Sequence, residues 1–214
     1  MGSAGDRWVC FDVGETLIDE TRVWSVWADL LGVTRFTFMA AIGASIARGE
    51  SHQSAFEMVG RPDWESLYPA FGETYGSLQA SDLYADALAT LGALRTKGFR
   101  IAILANQPAR RTAELRALGI EPDLMAMSDE LGVHKPSVEF YDQALELMAA
   151  AASSVCYVGD RLDNDVRPSA AAGMRPVYIR RGPWGVIGGG EIPGGTLVID
   201  SLTELVDRIE GWWQ

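Results

Sequence analysis

Lysine is almost missing from this chain. Of its 18 basic residues only Lys97 and Lys135 are lysines, so any chemistry that needs a primary amine has two candidates. Positive charge is short as a whole. With 29 acidic residues the net charge is −11, which argues against nucleic acid or an anionic membrane as a partner, since both call for a basic footprint. Cys10 and Cys156 are the two cysteines, each inside an apolar run where a thiol serves as a small buried hydrophobe, so neither reads as a ligand or a nucleophile. No run approaches the roughly 18 apolar residues of a membrane span. The segment Met1 to Arg7 also lacks the layout of a secretion signal, and the expected location is cytoplasmic.

What is present is a chain of 214 residues, 48% hydrophobic, enough for one core plus a smaller subdomain. A β-prone run, Trp8 to Val13, is followed by Gly14 and then by helical periodicity in Thr21–Leu31, Phe36–Ala47, Gln53–Val59 and Trp64–Tyr75. Thr34, Ser51 and Asp63 stand where N-caps belong. No strand pattern interrupts these helices, whereas a simple βαβ crossover needs only one. Residues 19–79 are therefore expected to form an inserted helical cap on a core made of residues 1–18 and 80–214.

From Ser81, a candidate cap for a helix ending at Gly98, strands and helices alternate to the end. The strands are Arg100–Leu104, Leu124–Met127, Val155–Val158, Val177–Ile179 and Leu197–Ile199. Pro108 suits the first turn of one intervening helix and Ser137 the N-cap of Val138–Met148. Continuous apolar strands in this rhythm predict a parallel sheet covered on both faces, an α/β, Rossmann-like three-layer core. The glycine-rich stretch from Gly182 to Gly195 is expected to be a mobile loop, because no helix follows it directly as in a phosphate cradle. Trp212-Trp213 is either a cover for the core or a self-association patch, so a homodimer stays open.

Chemistry belongs at the carboxyl ends of such strands. Asp12-Val13-Gly14-Glu15-Thr16-Leu17 follows the first strand, Leu104-Ala105-Asn106 ends a second, His134-Lys135-Pro136 precedes a helix, and Gly159-Asp160 with Asp165 ends another strand. In this order, with a helical insert after the first stretch, the chain resembles the haloacid dehalogenase (HAD) superfamily of hydrolases. The resemblance implies Asp12 as nucleophile, forming an aspartyl-phosphate that water hydrolyses, with Thr16 orienting the loop or the departing phosphate. It implies Lys135 as the cation that offsets repulsion between Asp12 and an incoming dianion. Mg²⁺ would be held by Asp12, Asp160, Asp165 and the main-chain carbonyl of Gly14. Asn106 would meet a phosphate oxygen, and Arg22, the cap arginine nearest the hinge, would meet the anionic substrate, a small phosphorylated metabolite. His52 reads as a helix-start residue rather than a base.

Two positions depart from the pattern of that superfamily. Its phosphatases carry a second aspartate two residues after the nucleophile, and here that position is Gly14. Loss of a general acid costs about 10²–10⁴ in rate, so acyl or aryl phosphates, with good leaving groups, are the expected substrates. Glu15 points to the other face of an extended chain and reaches the site only through an unusual loop. Ala105 also stands where a serine or threonine would bind phosphate. A metal-independent 2-haloacid dehalogenase tolerates the missing acid but lacks a counterpart of Gly159-Asp160. A phosphonoacetaldehyde hydrolase needs a cap lysine, and residues 19–79 have none. A non-catalytic phospho-ligand-binding protein is the third alternative.

Overall fold

Six short apolar runs form one all-parallel sheet: β1 (Arg7–Phe11), β2 (Phe99–Ala105), β3 (Leu124–Met127), β4 (Val155–Gly159), β5 (Arg175–Ile179) and β6 (Leu197–Ile199). The spatial order is β3-β2-β1-β4-β5-β6, seen in a computed structural model that describes residues 7–213. β1 lies in the middle, with Trp8 opposite Arg100 on one side and Val155 on the other. Period-two alternation sends Val9 and Phe11 into one core with Ile103 and Val158, and Trp8 and Cys10 into a second with Leu104 and Tyr157. Both cysteines are buried free thiols.

Between β1 and β2 the chain makes five α-helices: α1 (Thr21–Leu31), α2 (Arg35–Ala47), α3 (Ser54–Met58), α4 (Tyr68–Tyr75) and α5 (Ala87–Thr96). After β2 come α6 (Arg110–Ala117), α7 (Ser128–Leu131), α8 (Val138–Met148), α9 (Arg167–Ala171), α10 (Gly182–Ile187) and α11 (Leu202–Trp213). α5 and α11 cover one face of the sheet and α8 the other, which makes the three-layer α/β core. Thr34 and Ser137 cap α2 and α8, accepting from the amides of Thr37 and Phe140. Among the described residues no single helix is long and apolar enough to cross a membrane.

Three local expectations need correction. Trp64–Leu67 is a separate 3₁₀ turn and α4 begins at Tyr68, because Pro69 lacks an amide hydrogen and sits best in a first turn. Ser81 lies inside a 3₁₀ turn, Ala80–Asp82, and the following helix starts only at Ala87. The glycine-rich stretch opens with α10, not a loop: Pro183 suits its first turn, and Gly185 permits close approach to β5, since a Cβ there would lie 2.7 Å from the Ile179 carbonyl oxygen. At the C-terminus the Trp213 ring packs 5.2 Å from Phe99, and the Trp212 indole donates to the Gly195 carbonyl at 3.1 Å.

Candidate active site

The hydrogen bonding of β1 extends one residue past the strand, where the Asp12 amide donates to the Val158 carbonyl at 2.9 Å. That bond fixes the start of a tight turn in which the amides of Leu17 and Ile18 both donate to the Val13 carbonyl. Asp12 thus leaves the sheet at its carboxyl edge, in the middle of the strand order. Asp160 leaves the end of the neighbouring β4 in the same way and is 2% exposed.

Lys135 arrives from the connection between α7 and α8. Its main chain is clamped by Asn106, whose Nδ2 donates to the Lys135 carbonyl at 2.9 Å while its Oδ1 accepts from the Lys135 amide at 2.8 Å. The Lys135 ammonium, fully buried, lies 2.7 Å from Asp12 Oδ1 and 2.5 Å from Asp165 Oδ1. Burial works against its charge, but Asp12 and Asp165 outweigh that and hold it firmly protonated. Asp165 reaches the ammonium from a π-helical turn, Leu162–Val166, and its second oxygen accepts from the Arg161 amide at 3.0 Å. Gly159 is what makes room for it, since a Cβ there would collide with the Asp165 carboxyl group.

Asp12, Asp160 and Asp165 each bring a carboxylate oxygen within 4.8 Å of the others, all three buried. Asp160 Oδ2 has no hydrogen-bond partner. Burial, with Asp165 and Asp12 alongside, raises its pKa well above the usual carboxylate range. An orphaned buried oxygen in an all-oxygen donor set fits a hard divalent cation.

Asp12, Lys135 and Asp160 open onto a cleft of about 380 Å³ whose walls come from both the helices after β1 and the sheet edge. Asn106 and Gly14 line it, whereas Thr16 and Asp165 do not. The Thr16 hydroxyl is enclosed without a hydrogen-bond partner, and its carbonyl accepts from Arg181. Arg22 does not line the cleft. Its guanidinium binds Asp82 through Nε at 2.9 Å and Nη2 at 2.5 Å, and the carbonyls of Tyr75 and Ser77 at 2.9 and 2.8 Å. Position two of α1 faces the returning chain, whose carboxylate and carbonyls match the arginine fork.

The cleft also gathers residues that no sequence motif marked. Arg110, Arg111 and Arg161 line it, together with Phe71 and Trp184. His52 packs edge-on to Trp24 and Trp184, with centroids 5.4 and 5.9 Å away. Glu15 adopts the unusual loop conformation that its reach required, with φ 51°, yet its carboxylate accepts from Tyr84 Oη at 2.5 Å and from the Glu20 amide at 3.0 Å. Glu20, just before α1, turns its carboxyl group into the cleft. Burial, then the carboxylates of Glu15 and Asp12, push it up to about 8. The only sequence signal for Glu20 was its place at a helix start near the first motif, where an acidic residue is ordinary.

A family model of haloacid dehalogenase-like hydrolases matches residues 7–173. Glyceraldehyde 3-phosphate phosphatase of Methanocaldococcus jannaschii is 32% identical over 142 residues, 64% of this chain and 61% of that protein. Phosphoserine phosphatase of Thermus thermophilus is 33% identical over 103 residues, 47% of this chain and 41% of that protein. The chain thus spans about half the length of these curated relatives. In fold it is similar to L-2-haloacid dehalogenase from Xanthobacter autotrophicus, with a TM-score of 0.71 and 19% identity over 97% of this chain and 99% of that one. A match across most of the chain, joined to a parallel sheet that carries its acidic cluster at the carboxyl edge, identifies the chain as a member of the haloacid dehalogenase-like hydrolases.

Proposed function

We propose that this hydrolase is a divalent-metal-dependent phosphatase acting on a small phosphorylated metabolite through Asp12. The observation that carries the reading is the buried triad around Lys135, with Asp12 and Asp165 on its ammonium and the unpartnered oxygen of Asp160 beside them. A metal-free dehalogenase has no use for that orphaned carboxylate oxygen. The phosphatase relatives at 32 and 33% identity support the same choice.

Lys135 engages Asp12 through Oδ1, which fixes the carboxylate and offsets the repulsion between it and a phosphate dianion. Asp12 attacks phosphorus, the bond to the leaving oxygen breaks, and the aspartyl-phosphate is then hydrolysed by water. Asn106 acts here through Lys135, whose main chain it holds from both sides. Asp12 and Asp160 offer the donors for Mg²⁺, with the Gly14 carbonyl on the same loop, while both oxygens of Asp165 already accept from Lys135 and Arg161. Bound there, the cation supplies charge neutralisation at the phosphoryl oxygens. Residues 19–79 act as a cap that forms the outer wall of the cleft, its aromatic rings shielding the reaction from water.

The test is steady-state hydrolysis of acetyl phosphate and p-nitrophenyl phosphate with Mg²⁺ or EDTA, in the wild type and in Asp12→Asn. Turnover is expected only with Mg²⁺ and only with Asp12. Activity that survives EDTA, or release of halide from a 2-haloacid, would replace the reading with a dehalogenase. Phosphate binding without turnover would replace it with a binding protein.

A further inference from the structure

The loop that carries the nucleophile has glycine at its third position, and the space beside that glycine is filled. A Cβ built on Gly14 would lie 2.7 Å from Glu20 Oε1 and 3.1 Å from Glu20 Cδ. The carboxyl group of Glu20 therefore occupies the volume that a side chain at position 14 would enter, on the same cleft as Asp12 and Lys135. Its placement is built: Glu15 Oε1 accepts from the Glu20 amide at 3.0 Å, and Glu15 is itself anchored by the Tyr84 hydroxyl.

We propose that Glu20 is the acid–base residue of this active site, delivering from α1 the carboxyl group that Gly14 lacks. The proposal rests on the phosphatase reading above. Four carboxylic residues line the cleft: Asp12, Glu15, Glu20 and Asp160. Asp12 is the nucleophile, Asp160 lies in the acidic cluster, and Glu15 is committed to Tyr84 and to the Glu20 amide. Glu20 is the one left with a carboxyl group to offer the substrate.

In the first half-reaction an Asp12 oxygen bonds to phosphorus and the phosphorus–OR bond breaks. The departing oxygen takes the proton of the Glu20 carboxyl and leaves as ROH. In the second, water bonds to phosphorus and the phosphorus–Asp12 bond breaks. The water proton returns to Glu20, so phosphate leaves with Asp12 and Glu20 restored. Water and a phosphate monoester thus give an alcohol and phosphate. Unlike an enzyme without an acid, this one accepts alkyl phosphates, whose leaving groups need the proton most.

The experiment compares kcat/KM on glycerol 2-phosphate and on p-nitrophenyl phosphate, with Mg²⁺, for the wild type, Glu20→Gln and the double variant Gly14→Asp/Glu20→Ala. Glutamine keeps the shape of the carboxyl group and removes its proton. Glu20→Gln is expected to lose about 10²–10⁴-fold on the alkyl ester, and at least about 10-fold less on the aryl ester. It is also expected to release a stoichiometric burst of p-nitrophenol, because the second half-reaction loses its base. Gly14 has no positive φ, and the three atoms nearest a Cβ there all belong to Glu20, so the double variant should regain alkyl hydrolysis relative to Glu20→Gln. An equal loss on both esters, or none, with an active wild type would overturn the proposal alone. A wild type inactive on both esters would overturn the phosphatase reading and the proposal with it.

Discussion

At the scale of single residues, the site depends on one ammonium that two buried carboxylates share. Replacing Lys135 with methionine keeps most of the volume and leaves Asp12 and Asp165 facing each other without a cation. Breaking a buried pair in this way costs about 3–5 kcal/mol, so Lys135→Met should lower unfolding free energy by that order in urea titration at pH 7. Turnover should fall by at least about 10²-fold, since a fixed cation at the reacting centre is lost. An unchanged stability would mean that the ammonium is not the counterion of this cluster. The residues that the motifs marked were legible because each chemistry needs a residue type at a strand end, and strand ends can be read from apolar runs. Asp12, Lys135, Asn106 and Asp160 do meet at one cleft. Glu20 was not legible, because its role follows from the space beside Gly14 and no spacing in the chain reports that.

At the scale of elements, Arg22 moves from an expected substrate contact to a strut. Its guanidinium ties the first turn of α1 to Asp82 and to the carbonyls of Tyr75, the last residue of α4, and Ser77 just beyond it, which joins the two ends of the helical insert. Its ring-stacking on Tyr75, 3.9 Å from centroid to guanidinium carbon, adds to the clamp. Arg22→Ala leaves Asp82, 5% exposed, with only the Gln79 amide, and is expected to cost about 2 kcal/mol. Thermal unfolding and KM report the two outcomes separately. A lower melting temperature with KM changed less than about threefold fits a strut, whereas a large rise in KM at unchanged stability would return Arg22 to the substrate. The helices of the insert were legible from their periodicity and from the Thr34 cap. α10 was not, since its glycines hid a helix start at Pro183, and Trp184 reached the cleft with it.

At the scale of the whole molecule, the cleft couples acid stability to packing between α1, the turn before α3 and α10. Burial between Trp24 and Trp184, aided by Arg161, pushes the His52 pKa down to about 4 from its ordinary 6.5. The unfolded chain therefore takes up this proton first as pH falls. His52 costs no stability above about pH 6.5 and removes up to about 3 kcal/mol as pH drops to 4. Urea titrations of the wild type and His52→Gln at pH 7.5 and pH 4 check this. The stability difference between them should shift by about that amount in favour of the variant at low pH, and a difference independent of pH would contradict it. The fold class and the motif-bearing strand ends were determined by the sequence alone, because hydrophobic period and turn chemistry are local properties of the chain. The tertiary structure decided which side chains share a space: Glu20 beside Gly14, Arg22 on Asp82, Lys135 between Asp12 and Asp165. Those pairings depend on how helices land on the sheet edge, and side-chain volume and charge act through space, whatever the distance along the chain.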